Sequence, residues 1–384
     1  MALFAPHRRR LRGARSGAYR REVDLIADRH RWTATWRHAA EGAGITRTVR
    51  VAAGQTVIVP PLVSVSAGAP LVLIVRLLPG QLPADVRAVA DRLAPALGAT
   101  CLRIAALSDG VHVRLELLDA DPLDTPFVLP PPHELPDGFL GIDEGGADLG
   151  IPWPRRTHAV VQGSTGSGKS WWLYGALSAH AGDPLVTVAG IDPSGLLWRP
   201  WTGLDGAELR VSGLAGDLTE HVAALEALCS RMDERLAVLP DDRDQLDPTT
   251  DLPLVVVVLE ELPGFYAAAD LVDRKLGQRV RGLVGRLLAE GRKVAYRVVI
   301  VCQRADAAIV GGAVRAQAQL RLSFRVEPDG FRMLHPVDVV DPDEHEWAPS
   351  GVAVLSAPGL GTLRLRAGAL PYDQYVARVR RAAA

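Results

Sequence analysis

The sequence predicts an α/β fold: a mostly parallel β-sheet flanked by helices, preceded by a small N-terminal α/β domain. Three observations predict it. Uninterrupted apolar runs such as Val255–Val258 suit strands buried on both faces, as in a parallel sheet covered by helices. From about residue 139 onward such runs alternate with segments of helical periodicity. One junction between the two carries a glycine-rich loop, "GSTGSGKS", at residues 163–170.

Composition allows this and excludes little else. The chain has 384 residues, 48% hydrophobic and 23% charged, with a formal net charge of −1, as in an ordinary globular protein of two domains or one large one. Cys101, Cys229 and Cys302 are too scattered for a disulfide framework or a metal site, which suits a reducing cytosol. The longest uncharged run, Val51–Val75, is broken by Gly54, Pro60, Pro61, Gly68 and Pro70. It predicts short strands and turns, not a membrane span, so a cytoplasmic protein is expected, peripheral at a membrane only through a partner.

Residues 1–45 are expected to form a basic arm, because the first 21 hold seven Arg and no acid. A small α/β adaptor domain follows over 46–120. "TRTVRV", "QTVIVP" and "LVLIVRLL" read as strands, "PADVRAVADRLAPALG" as a helix, and "CLRIAAL" and "VHVRLELL" as a closing strand pair. Residues 121–138 are proline-rich, with six prolines in the twenty residues from Asp119, and read as a stiff linker. The expected strands of the larger domain, 139–368, are Ala159–Gln162, Leu185–Asp192, Leu254–Leu259, Arg297–Cys302 and Leu320–Val326; a tail, 369–384, closes the chain.

Gly163, Ser164, Thr165, Gly166, Ser167, Gly168, Lys169 and Ser170 fit G-x-x-x-x-G-K-[ST]. Glycines let successive N–H groups converge on phosphate oxygens, and the following helix adds its positive N-terminal end. Lys169 would reach the outer phosphates, and the Ser170 hydroxyl would sit on Mg²⁺, so ATP and Mg²⁺ are the expected cofactors. Of the next two residues, Trp171 and Trp172, one is expected in the core and the other beside the nucleotide. The strand "LVVVVLEE" ends in Glu260, which would contact Mg²⁺ through water, and Glu261, which would orient or deprotonate the attacking water. A further strand ends in Gln303 and Arg304, where a polar side chain can sense the γ-phosphate.

In this order and spacing, the stretches resemble the motor domain of the FtsK/SpoIIIE family of DNA translocases over roughly residues 139–366. "HAVVQGSTGSGKS", "GIDPSG" at Asp192, "MDERLAVL", "VVVVLEEL", "GRKVAYRVVIVCQRA" and "VRAQAQLRLSFRV" each match a family segment. The "EELPGFY" turn is similar to that of actinobacterial transfer proteins of conjugative elements. Three residues depart from the usual pattern: Glu260 stands for Asp, Cys302 for Thr and Ala305 for Pro.

The resemblance implies a P-loop NTPase (RecA-like) fold and an ATP-driven motor on double-stranded DNA. It further implies a homo-oligomeric, hexameric ring and a neighbouring arginine that completes each site. Arg321 is the first candidate for that arginine, then Arg315 and Arg325. The cationic helix 274–293 is a candidate for DNA contact, with solvation of its charges as the plainer role. A protein-export motor shares these motifs, and a non-catalytic nucleotide-binding scaffold is the reading from another class.

Overall fold

The structure, a computed structural model, describes residues 17–382 apart from 52–53, 67–69, 108, 153–156, 307–310 and 337–339. Two compact units emerge, Met1–Asp121 and Pro122–Ala384. The arginine-rich residues 1–16 of the expected arm lie outside the described residues.

In the first unit, helix α1 (Gly17–Ala43) is followed by a hairpin of β1 (Arg47–Val51) and β2 (Gly54–Ile58). Then come β3 (Leu62–Ser66), β4 (Leu71–Arg76), α2 (Pro83–Arg87), α3 (Ala90–Ala96), β5 (Cys101–Ala106) and β6 (His112–Leu118). Strands β3 to β6 form an antiparallel sheet in the order β3-β4-β6-β5. The expected boundary at residue 45 does not hold. Trp32, Trp36, Ala39 and Ala40 of α1 are buried in one core with Leu73, Val75, Leu93 and Leu115, and the Trp36 indole donates to Pro60 O at 2.6 Å. Tryptophan burial thus makes the second half of the arm part of the domain. The single helix expected over 83–98 is two, because Val89 (φ −117°, ψ 11°) leaves the helical region between them.

The second unit begins with β7 (Phe139–Asp143) and β8 (Asp148–Gly150), followed by β9 (Ala159–Gln162), α4 (Lys169–Ser178), β10 (Val186–Asp192), β11 (Arg210–Ser212) and α5 (Thr219–Ala237). Next are β12 (Leu254–Glu260), α6 (Leu262–Val272), α7 (Arg274–Glu290), β13 (Tyr296–Cys302), α8 (Gly312–Gln317) and β14 (Leu320–Phe324). The chain ends in α9 (Pro328–Leu334), α10 (Pro342–His345), β15 (Val352–Ala357), β16 (Gly361–Arg366) and α11 (Tyr372–Ala382). All ten strands join one sheet, ordered β11-β10-β12-β13-β9-β14-β15-β16-β7-β8. Pairing is parallel from β11 to β14 and antiparallel from β14 to β8.

Both faces of the parallel part are covered, which is why its strands are apolar throughout. Val255, Val257 and Leu259 face α5, α6 and α7 through Leu225, Phe265 and Leu287; Val256 and Val258 face α4 and α11 through Leu177 and Tyr375. Two expected segments change character here. The proline-rich stretch is not a free linker: Leu129 is buried, its N–H donates to Ala369 O at 2.8 Å, and its side chain fills the space that Gly175 and Gly368 leave open. Nor is 369–384 a tail. Tyr375 is fully buried, stacked on Tyr174 with ring centroids 4.6 Å apart, and its hydroxyl accepts from the Trp201 indole at 2.6 Å.

Candidate functional site

The glycine-rich loop leaves β9, at the centre of the sheet, and opens α4. Gly166 (φ +76°) and Gly168 (φ +103°) occupy the left-handed region, which turns the backbone in on itself at little steric cost. The loop is held from three sides. Gly163 N–H donates to Gln303 O (3.2 Å), Ser164 N–H and hydroxyl donate to Arg325 O (2.8 and 3.0 Å), and Gly351 N–H donates to Ser167 O (2.8 Å). A Cβ on Gly168 would lie 2.8 Å from Gly351 N, and one on Gly163 would meet Ser167 Oγ at 2.6 Å, so both glycines are required by space as well.

Lys169 starts α4 and folds back over the loop, its Nζ donating to Gly163 O (3.1 Å) and Cys302 O (3.0 Å). Burial pushes its pKa below the ordinary value, while the charge of Glu261 and, less strongly, that of Glu260 oppose the drop. This places the lysine in the field of both carboxylates.

Glu260 ends β12 beside Asp192, which ends β10: the register pairs Ile191 with Leu259, one residue earlier. Asp192 is fully buried and accepts from Ser194 N–H (2.8 Å), Ser194 Oγ–H (2.7 Å) and Leu197 N–H (2.7 Å). Burial raises the Glu260 carboxyl to about 8, reinforced by its hydrogen bond to Asp192 and that residue's charge, with Lys169 pulling the other way. Glu261 stands one residue on in the left-handed region (φ 47°, ψ 48°), at the N-cap of α6. A non-glycine residue held there is strained, and such strain clusters at functional sites.

The structure therefore brings Gly163–Ser170, Glu260 and Glu261 to the carboxyl end of the parallel strands, where ligands bind in such sheets. Gln303 joins them through its main chain, with its side chain exposed. Trp172 is buried against Phe324 (centroids 6.4 Å apart), whereas Trp171 is 47% exposed on the first turn of α4.

Arg321 is not brought to the loop. Its guanidinium donates to Ala318 O, Leu334 O and Arg315 O at 3.3, 3.2 and 2.8 Å, and Arg315 donates to Met333 O at 2.8 Å. Both cations sit on the carbonyl end of α9, where a helix dipole favours them. Arg325, whose carbonyl holds Ser164, makes no side-chain hydrogen bond or ion pair among the described residues. On α7, Arg279 pairs with Glu226, Arg281 with Asp270 (2.5 Å) and Arg286 with Asp233 (2.6 Å) and Glu290 (3.0 Å), so these charges join helices.

Three supports escaped the sequence reading. Gln162 is fully buried and binds Ser323 Oγ (2.7 Å), Gly330 O (2.9 Å) and Ala305 N–H (2.8 Å), tying β9 to β14 and to the segment after β13. Buried Arg366 donates to Ser350 O (3.1 Å) and Leu123 O, which fixes the Ser350–Gly351 segment against the loop. Asp192 was legible only as part of "GIDPSG".

The loop, its lysine and the acidic strand end on a parallel sheet define a P-loop NTPase fold. No family model matches the chain. Over about 200 residues it is similar to two curated proteins: 25% identical to DNA translocase SftA of Bacillus subtilis, and 24% identical to DNA translocase FtsK of Staphylococcus aureus. Each alignment spans 49% of this chain but only 20% and 25% of the relative. The fold is also that of the pCW3 conjugation coupling protein TcpA, solved with ATPγS (TM-score 0.56, 18% identity, covering 89% of this chain and 96% of that one). EssC ATPases 2 and 3 of Geobacillus thermodenitrificans share it (TM-score 0.51, 14% identity, covering 67% and 50%).

Proposed function

We propose that this chain is an ATP-hydrolysing motor that moves double-stranded DNA, working as a homo-oligomeric, hexameric ring in the transfer of a conjugative plasmid or mobile element. The observation that carries the reading is the convergence of Lys169, Glu260 and Glu261 on one curled loop, in a chain 25% and 24% identical to two DNA translocases over 201 and 206 residues. The residues fit MgATP. Main-chain N–H groups of 165, 166, 168 and 169 and the Lys169 ammonium would hold its phosphates, and Ser170 and, through water, Glu260 its Mg²⁺. MgATP would supply the scissile phosphoanhydride and a Lewis acid that draws off its charge.

The rest is this chain's own work. Glu261 orients a water and accepts its proton. Gln303, hydrogen-bonded to Gly163 through its carbonyl, reads occupancy of the loop into the segment after β13. With Arg321 and Arg315 engaged on α9, Arg325 is the arginine of the three free to meet charge at the γ-phosphate. A membrane-associated partner protein would supply any attachment; no helix among the described residues is long and apolar enough to span a bilayer.

The test is the ATPase rate with and without double-stranded DNA over a range of salt. Contacts dominated by DNA phosphates predict stimulation that falls steeply as salt rises. Stimulation by a secreted peptide, with none by DNA, would assign the chain to protein export. Nucleotide binding with no turnover, unaltered by Glu261→Gln, would make it a scaffold.

A further inference from the structure

Gln162, the residue before the phosphate loop, puts a polar side chain on a strand that is otherwise apolar and buried throughout. Its amide has one possible orientation. Ala305 N–H needs an acceptor and Gly330 O needs a donor, so Oε1 faces the first (2.8 Å) and Nε2 the second (2.9 Å). The other Nε2 hydrogen goes to Ser323 Oγ (2.7 Å).

From there the donors all point one way. Ser323, fully buried, accepts from Gln162 and has a single hydrogen to give, which goes to His335 Nε2 (2.7 Å). Burial pushes His335 down to about 3, so its ring is neutral, with one acceptor nitrogen and one donor. Nδ1–H is therefore the donor, to Ser356 Oγ (2.7 Å), and Ser356 donates onward to Thr362 Oγ1 (2.7 Å). Four side-chain bonds thus run from Gln162 through β14, the C-cap of α9 and β15 to β16. A buried network with every member satisfied holds one geometry.

What this network holds is the segment after β13. Gly163 N–H donates to Gln303 O (3.2 Å) and Gln162 Oε1 accepts from Ala305 N–H, so the segment is stitched to β9 on either side of Arg304. Arg304 is itself tied to the start of α9 by its ion pair with Glu327 (2.8 Å). The Gln303 side chain is exposed and makes no hydrogen bond among the described residues. It is a free amide on a main chain fixed at both ends.

We propose that Gln162 is a positioning residue for γ-phosphate recognition: backed by Ser323 and His335, it holds the 303–305 main chain so that the Gln303 side chain meets the third phosphate. This rests on the nucleotide-binding reading above. It adds what lets the site tell a triphosphate from a diphosphate.

The test is displacement of mant-ADP by ADP and by ATPγS, on the full chain with Mg²⁺. The wild-type protein should bind ATPγS more tightly than ADP. Ser323→Ala, which cuts the network beside Gln162, should reduce that preference by about fivefold, with ADP affinity within about twofold of wild type. Ser356→Ala, two bonds further out, should reduce it by only about twofold. His335→Gln, whose amide offers an acceptor and a donor, should retain more of the preference than His335→Leu. A role in stability alone would weaken both nucleotides together and leave their ratio unchanged. That outcome, or a Ser323→Ala protein with the wild-type ratio, overturns the proposal. So does a Ser323→Ala protein that fails to fold, or a wild-type protein with no preference for ATPγS. A wild-type protein that binds neither nucleotide instead brings down the reading on which the proposal stands.

Discussion

From β11 to β14 the strands run parallel and deliver side chains to the phosphate loop: Asp192, Glu260 and, just beyond β12, Glu261. From β15 to β8 they alternate and deliver main chain, through Gly351 N–H on Ser167 O and the Ser350 carbonyl fixed by Arg366. The two halves differ in physics as well as content. Parallel strands all end on one edge, so their last residues collect there. Antiparallel strands present turns, and a turn built on glycine can bring its backbone within hydrogen-bonding distance of another loop. Side-chain chemistry thus falls to the parallel half, while the loop's shape is held from both, by Gln303 O and Arg325 O just beyond β13 and β14 and by Gly351 N–H just before β15.

Glu261→Gln tests the first half most severely. Turnover should fall by about 100-fold or more, as for loss of a general base, while nucleotide affinity is retained. Single-turnover hydrolysis beside equilibrium binding checks it. A variant that hydrolyses normally would remove the side-chain half of the contrast.

Arg366→Leu addresses the second half. It leaves the carbonyl of buried Leu123 short of a donor, at about 1–3 kcal/mol, and releases the exposed Ser350 from β16. A melting temperature lower by several degrees is expected. Nucleotide affinity should fall with it, because Ser350–Gly351 would no longer be pressed on the loop. If the melting point drops and affinity stays, the antiparallel strands are a cover and not a brace.

His335 sits at the seam, bonded to Ser323 of β14 and Ser356 of β15 at 2.7 Å each, and His158 of β9's approach accepts from Val298 N–H at 2.9 Å. Burial, the largest cause for both, depresses them to about 3 and about 4. Between those values and the unfolded value near 6.5, the unfolded chain binds more protons than the native one. Stability is therefore full above pH 6.5 and is lost as pH falls toward 4, by on the order of 3 kcal/mol for His158 alone. Denaturant melts at pH 7, 5.5 and 4.5 would show it. A flat profile would mean the seam opens without charging a histidine.

What the sequence disclosed follows the same division. Residues 163–170 and the run ending in Glu260–Glu261 were legible, because phosphate binding and double-sided burial each leave a local pattern. Ser350, Gly351 and Arg366 were not, since a backbone contact between segments 184 residues apart leaves none. The proline-rich stretch and the last helix misled for a related reason. Their role depends on small residues elsewhere, Gly175 and Gly368 for Leu129, and on Tyr174 for Tyr375. Arg321 was placed by motif position, and only the carbonyl end of α9 shows what holds it.

The smallest effect is expected on the helices that cover the parallel strands. Arg286 of α7 meets Asp233 of α5 and its own Glu290, with all three side chains close to half exposed. Exposed pairs of this kind contribute about 0–1 kcal/mol and weaken with salt. Asp233→Asn should therefore change stability by under about 1 kcal/mol, and less at 1 M than at 0.1 M salt. Its second readout is the salt dependence of DNA-stimulated ATPase. If α7 only packs against its neighbours, freeing Arg286 from one partner leaves that dependence unchanged; if α7 meets DNA, the added free cation steepens it.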